Sequence, residues 1–210
     1  MLDYLTAVNT MASKERILRL KDETRTNILA ASIDIVKEEG WQALSMRKIA
    51  DKIEYTAPII YEYFANKDAI LNELTRQGYV KLAAQMEEAK NKHTDAAEQL
   101  EAMWLAYWNF AFAEKELYQV MYGVEVNCCV FENTCADMKG PSNMLWDKIE
   151  EIIPEERRTE DYICTKYYTL WSVVHGLISI NMTRQVTRDE DINKQVLKDA
   201  ISGIIASMRN

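Results

Sequence analysis

Helix breakers are scarce in this chain: six glycines and three prolines among 210 residues. With so few places for sharp backbone turns, the chain is confined to long segments joined by short connections. Within those segments apolar residues recur at three- and four-residue spacing, as on one face of an α-helix. An apolar share of 48% supplies ample core material. The expected fold class is all-α, and the length allows one large or two small domains.

The most informative stretch is Ser45–Phe64, SMRKIADKIEYTAPIIYEYF. Ser45 is placed to cap a first short helix with its hydroxyl, and Met46, Ile49, Ala50 and Ile53 form that helix's inward face. Arg47 and Lys48 fall in its first turn, where positive charge opposes the helix dipole. A phosphate partner would resolve that conflict. Thr56 is placed to cap a second helix, Ala57–Tyr63, where Pro58 is tolerated because first-turn N–H groups have no intrahelical acceptor. Ile59, Ile60 and Phe64 supply its buried side, and Tyr61 and Tyr63 set two phenols at the rim. Two such helices with a three- or four-residue turn make a helix-turn-helix. Spacing alone also fits a plain helical hairpin inside a bundle.

Wider motifs favour the first reading. Ile28-Leu29-x-Ala31, Gly40 before Trp41, Ser45-Met46-Arg47-x-Ile49-Ala50, Tyr61-x-Tyr63-Phe64 and Asn66-Lys67 ahead of an apolar run stand in register over Ile28–Leu74. This segment resembles the N-terminal DNA-binding domain of the TetR family of transcriptional regulators. The resemblance implies that Thr56–Tyr63 enters a major groove. Ser45, Arg47, Thr56, Tyr61, Tyr63 and Lys67 would then hold phosphates, with Arg25 a further DNA contact. Ala57, Pro58 and Arg47 would face bases. The family usually has glycine in the turn, where this chain has Glu54 followed by Tyr55. Glycine takes a positive φ without steric cost, so Glu54 implies a mildly strained turn and sets an acid near the DNA.

Net charge is −8 and the pI about 5.0, at first sight unfavourable for nucleic acid. The distribution is uneven. Between Met11 and Ile53 nine bases face seven acids, a local +2, whereas the remainder carries −10. A basic patch on an acidic body is compatible with site-specific binding and weak non-specific binding. Met1–Met11 lacks periodicity and is expected to be a ragged extension. Ser13–Glu39 reads as a helix ending at Gly40, with Arg16, Arg19 and Lys21 as arm residues or a solvated face.

Asn66 is placed to cap a helix over Lys67–Lys90, the natural lever between the head and the rest, with Gly78 as a pivot or simply tolerated. Thr94 is placed to cap the next helix. Further helices are expected over 115–122, 144–153, 156–184 and from a Thr187-x-x-Glu190 capping box onward. Trp108-x-x-Ala111, Glu116-x-Tyr118-x-x-Met121, Leu170-Trp171 and Val174-His175-Gly176 resemble the Trp-His-Gly type of TetR C-terminal domain. That resemblance implies a helical bundle holding a small effector and forming a homodimer through its last two long helices. Val174, Ile178, Ile192, Val196, Ile201 and Ile205 are the expected interface residues.

Trp104, Tyr107, Trp108, Tyr118, Met121, Tyr122, Tyr167, Trp171 and His175 give this half a heavy load of large amphipathic side chains. Sites for small apolar molecules are lined in this way, although aromatic stripes at helical spacing also serve plain packing. Buried Tyr and Trp need hydrogen-bond partners, which marks Tyr107, Tyr118, Tyr167 and His175. His175 is expected as a hydrogen-bonded core residue, with Gly176 marking a close helix contact.

No GxSxG, Gly-rich phosphate loop, HExxH or Glu-x-x-His is present. No catalytic residue, metal ligand or cofactor is expected. Four cysteines lack CxxC spacing, and no secretory leader precedes them; Cys128-Cys129 with Cys135 could sense oxidants or metal, though nothing flanking them lowers a thiol pKa. The longest apolar stretch, Tyr167–Met182, is too short for a bilayer.

The expectation is therefore a cytoplasmic, homodimeric all-α regulator with no membrane span. An N-terminal extension (1–20) precedes a three-helix helix-turn-helix DNA-binding domain (21–75) and a larger helical-bundle domain (76–210) for ligand binding and dimerisation. Its partners would be a palindromic double-stranded operator and a small apolar or aromatic effector that releases a repressor. A helical enzyme or carrier that binds small molecules but no DNA, and a dimeric protein-interaction adaptor, remain the alternatives.

Overall fold

The computed structural model describes residues 2–123, 136–183 and 190–209, with side chains from Lys14 onward except 136–139 and 190–191. The segment with Cys128, Cys129 and Cys135, and Thr187 of the capping box, lie outside the described residues. Nine α-helices and two 3₁₀ turns make up the described chain, which divides into two compact units, Met1–Thr75 and Arg76–Asn210.

In the first unit, α1 (Leu2–Glu39) is one continuous helix of 38 residues. It covers the stretch expected as a ragged extension and passes residue 20 without a break. Among its residues from Lys14 onward, Ile28, Leu29, Ala31, Ile35 and Val36 are buried, whereas Ile17, Leu18 and Leu20 are exposed. Gly40, at φ +84°, ends it by donating to the Val36 carbonyl at 2.9 Å. After a 3₁₀ turn at Trp41–Ala43 comes α2 (Met46–Lys52), capped by Ser45, whose hydroxyl accepts from the Lys48 N–H at 3.3 Å.

α2 ends in a Schellman motif. The Tyr55 N–H reaches the Ala50 carbonyl at 2.9 Å and the Glu54 N–H reaches Asp51 at 3.4 Å, which forces Glu54 to φ +59°. α3 (Ala57–Tyr63) carries Pro58 in its first turn. Thr56 holds the N-cap position, but its hydroxyl makes no cap hydrogen bond, so the expected side-chain cap is corrected to a positional one. Ile60 and Phe64 are buried; Ile53 and Ile59, expected inward, are only half-buried.

Helix α4 (Lys67–Lys90) begins at Asn66, whose side-chain oxygen accepts from the Ala69 N–H at 2.9 Å. The boundary between the units falls inside this one helix, after Thr75. The second unit continues with α5 (Ala96–Ala113), α6 (Lys115–Tyr122), α7 (Ala136–Ile152), α8 (Glu160–Thr183) and α9 (Glu190–Arg209). Asp95, not Thr94, caps α5: its carboxylate accepts from Ala97 and Glu98 at 3.0 and 3.1 Å and also pairs with Arg209. These N–H groups hold the Asp95 carboxyl below its ordinary value, assisted by Arg209. α7 starts at Ala136 rather than Met144 and contains Gly140 and Pro141.

The core of this unit is built by α5, α7, α8 and α9 around Trp104, Phe110, Leu170 and Leu197. It consumes four of the residues expected at a dimer interface: Val174, Ile178 and Ile201 are fully buried within the unit and Ile205 is 6% exposed. On a helix apolar on most sides, the spacing does not say which side faces its own bundle. Of the expected set only Ile192 and Val196 remain outside, joined on α8 and α9 by Tyr168 and Ile180.

The two singled-out glycines exchange roles. A Cβ at Gly176 would meet nothing within 4 Å, whereas one at Gly78 would collide with the Met121 sulfur. Gly78 is the close-approach residue that lets α6 lie against α4. Gly78→Ala should lower stability by about 1–3 kcal/mol through overpacking. Urea unfolding measures this, and a double-mutant cycle with Met121→Ala should return a coupling energy of about 1 kcal/mol or more.

Candidate functional site

Two sites emerge, one in each unit. In the first, α2 and α3 hold the helix-turn-helix geometry because Met46, Ile49, Ala50, Ile60 and Phe64 point into the core below them. What remains outside is polar or aromatic: Arg47, Thr56, Pro58 and Tyr61 are exposed, while Ser45, Ala57, Tyr63 and Lys67 are half-buried at the edge.

The bases of this unit are unequally available. Lys48 pairs with Glu39 at 2.6 Å and Lys52 with Glu38 at 2.8 Å, and Glu38 holds the Lys52 ammonium above its usual value. Such exposed pairs add little stability, but they neutralise charge. Arg25, expected on DNA, pairs with Glu73 at 3.3 Å and lies over the Phe64 ring at 4.9 Å. It clamps the C-terminal end of α3 to α4 from within the unit. Lys67 donates to the Gln42 carbonyl at 3.1 Å and sits over Trp41 at 5.5 Å. Arg47 makes no ion pair among the described residues.

In the second unit a cavity of about 310 Å³ opens among α4, α5, α6, α7 and α8. Of the expected ligand set, Tyr107, Tyr122, Tyr167, Trp171 and His175 line it. Tyr118 sits one layer back, its phenol 2.5 Å from His175 Nδ1 and 3.3 Å from the Tyr107 oxygen. Trp104, Trp108 and Met121 do not line it. Trp104 is fully buried with its ring edge-on to Tyr107, Trp108 packs on Phe112, and Met121 is spent against Gly78. The five lining residues outside the expected set are Tyr79, Pro141, Ser142, Leu145 and Tyr168. Tyr79 lies on the helical spacing of Leu82 and Met86, both buried in α4, a signal legible in the sequence; Ser142 carried none, because it lies where no helix was expected.

Trp171 and His175, one turn apart on α8, stack with centroids 5.0 Å apart and planes at 12°. The Tyr167 phenol donates to Ser142 Oγ at 3.1 Å. Burial governs the protonation of this wall. It pushes the Tyr107 phenol up to about 12 and those of Tyr118 and Tyr122 well above their usual range, and it lowers His175. At neutral pH the lining is therefore uncharged. Among the described residues no group of three or more His, Cys, Asp or Glu could hold a metal, and no helix is long and apolar enough to cross a membrane.

A helix-turn-helix in front of a helical bundle with a resident cavity is the architecture of a ligand-controlled DNA-binding protein, and sequence comparison agrees with that class. Residues 28–74 match the bacterial regulatory proteins of the tetR family, and residues 100–202 match the tetracyclin repressor-like C-terminal domain. This chain belongs to the TetR family, a family of transcriptional regulators rather than enzymes. It is 21% identical to the HTH-type transcriptional activator FasR of Mycolicibacterium smegmatis over 140 residues, 67% of this chain but only 63% of that protein. It is 24% identical to the fatty acid metabolism regulator protein of Bacillus subtilis over 182 residues, 85% of this chain and 87% of that one. In fold it is similar to the fatty acid degradation regulator FadR from Bacillus halodurans, with a TM-score of 0.64 and 16% identity over 89% of this chain and 94% of that one.

Glu54 and His175 give direct tests. A non-glycine residue in the left-handed region costs about 1–2 kcal/mol, and glycine returns about 0.4–1 kcal/mol of that through a looser unfolded chain. Glu54→Gly should therefore leave urea stability unchanged or raise it by up to about 1 kcal/mol. For His175, burial lowers the folded value while the unfolded chain keeps about 6.5. The unfolded state then binds the proton more readily, so stability falls as pH drops below 6.5. Thermal melts of His175→Gln should show a shallower fall across that window.

Proposed function

We propose that this protein is a cytoplasmic, homodimeric DNA-binding transcriptional regulator, a repressor whose grip on a palindromic operator is loosened by a small molecule in the second unit's cavity. The observation that carries this reading is the arrangement of α3. Ile60 locks the helix from beneath while Pro58 and Tyr61 stand in solvent, leaving a groove-reading face with no internal use. Ala57 and Pro58 face bases, and Ser45, Thr56, Tyr61 and Tyr63 fix the head on phosphates. Arg47 supplies the main uncompensated charge. Lys67 has donors left beyond its bond to Gln42. Two copies joined through the exposed side of α8 and α9 would present half-sites roughly 34–36 Å apart, or a multiple.

Control follows from α6. Its Tyr118 bonds to the cavity wall at His175, and one turn on Met121 lies against Gly78 of α4. A ligand that displaces α6 displaces α4, the same helix that carries Lys67. Moving the population from almost fully bound to almost fully released needs on the order of 5 kcal/mol of differential affinity.

Fragments selected from the source genome by the purified protein supply the DNA for the test. Fluorescence anisotropy should show affinity falling steeply with salt. Arg47→Ala should weaken binding to every fragment and reduce the salt slope by about 1 per protomer. Absence of fragment binding at low salt would overturn the function, and an unchanged slope would overturn the role of Arg47.

A further inference from the structure

The cavity's chemistry is unusually one-sided. Six of its ten lining residues are tyrosine or tryptophan, and none is Lys, Arg, Asp or Glu. Resting on the reading of this cavity as the effector site, we propose that its ligand is an uncharged aromatic molecule of about two rings, held by stacking on Trp171 and His175 and by hydrogen bonds to Ser142 and the wall phenols, and that no anionic head enters the cavity.

Size comes first. At about 310 Å³ the space is roughly twice the ~150 Å³ cavity that takes one benzene. The shape of the wall is next. Trp171 and His175 are stacked with their planes at 12°, so a planar ligand can extend that stack from its outer face by offset stacking. Around it Tyr167 and Tyr168 meet edge-on at 82°, which sets ring edges as well as faces toward the interior.

Charge decides between the ligand classes. Among the described residues, a carboxylate or phosphate buried here would find no ammonium or guanidinium in the lining, and a buried unpaired charge is costly. Aromatic faces attract cations, but an organic cation would equally lack a carboxylate, and one face of Trp171 is already occupied by His175. A neutral molecule meets neither penalty. Its polar group finds the Ser142 hydroxyl, which accepts from Tyr167, or the Tyr107–Tyr118–His175 chain, and its apolar part meets Leu145 and the aromatic lining.

The test uses the full chain and four probes in calorimetry at neutral pH: 2-naphthol, 2-naphthoate, 2-naphthyltrimethylammonium and palmitate. The expected result is that 2-naphthol binds at least tenfold more tightly than either charged analogue, and that palmitate does not displace it. Trp171→Leu should weaken 2-naphthol tenfold or more. Ser142→Lys, which places a cation in the wall, should shift preference towards 2-naphthoate, and thermal melts of both variants verify folding. Equal or tighter binding of either charged analogue, displacement by palmitate, or no binding by any probe would overturn the proposal. DNA release is read separately. If 2-naphthol binds without releasing selected fragments, the regulatory reading fails and the ligand class stands. If palmitate releases them, the regulatory reading stands and the ligand class falls.

Discussion

The bare backbone of Gly78 against the sulfur of Met121 is the contact on which the rest depends. At that point the Met121 side chain fills the space a Cβ on Gly78 would need, so α6 touches α4 with no slack there. From the same short helix Tyr118 reaches His175 and Tyr122 lines the cavity. Gly78, Met121, Tyr118, Tyr122 and His175 thus form the contacts on which the proposed link from the cavity to α4 rests. Close-packed interfaces of this kind switch between discrete arrangements rather than deforming smoothly, which suits a protein proposed to hold or release DNA.

The electrostatics of the first unit resolve an apparent conflict in an acidic chain. Arg25, Lys48 and Lys52 are matched by Glu73, Glu39 and Glu38, so much of the local positive charge orients helices within the unit. On the proposed reading, affinity for arbitrary duplex would rest on few phosphate contacts. Glu54, exposed just before α3, and Glu62, exposed within it, would lower it further, leaving specific binding to the fit of α3.

How much of this was legible from sequence follows the range of the interactions involved. The Ser45 and Asn66 caps were readable because each side chain bonds to a backbone group three residues on. The strain at Glu54 was readable because a turn's φ demand is local. Thr56 looked like an equally good cap but makes no such bond. Gly78 and Gly176 could not be told apart, since what matters is a helix distant in sequence in one case and empty space in the other. Similarly, Val174, Ile178 and Ile201 carry the same apolar pattern as an interface would, yet α5 and α7 cover them first. Ser142 and Tyr168 entered the cavity through the way α7 and α8 pack, which no spacing encodes.

If the cavity and the DNA face are coupled through α4, as proposed, thermodynamic reciprocity ties their two affinities together. Titrating a cavity ligand into the free protein and into the protein saturated with a selected DNA fragment gives two affinities. DNA should weaken the ligand by the same factor by which the ligand weakens DNA. Identical ligand affinities in the two titrations would show that cavity and head are uncoupled.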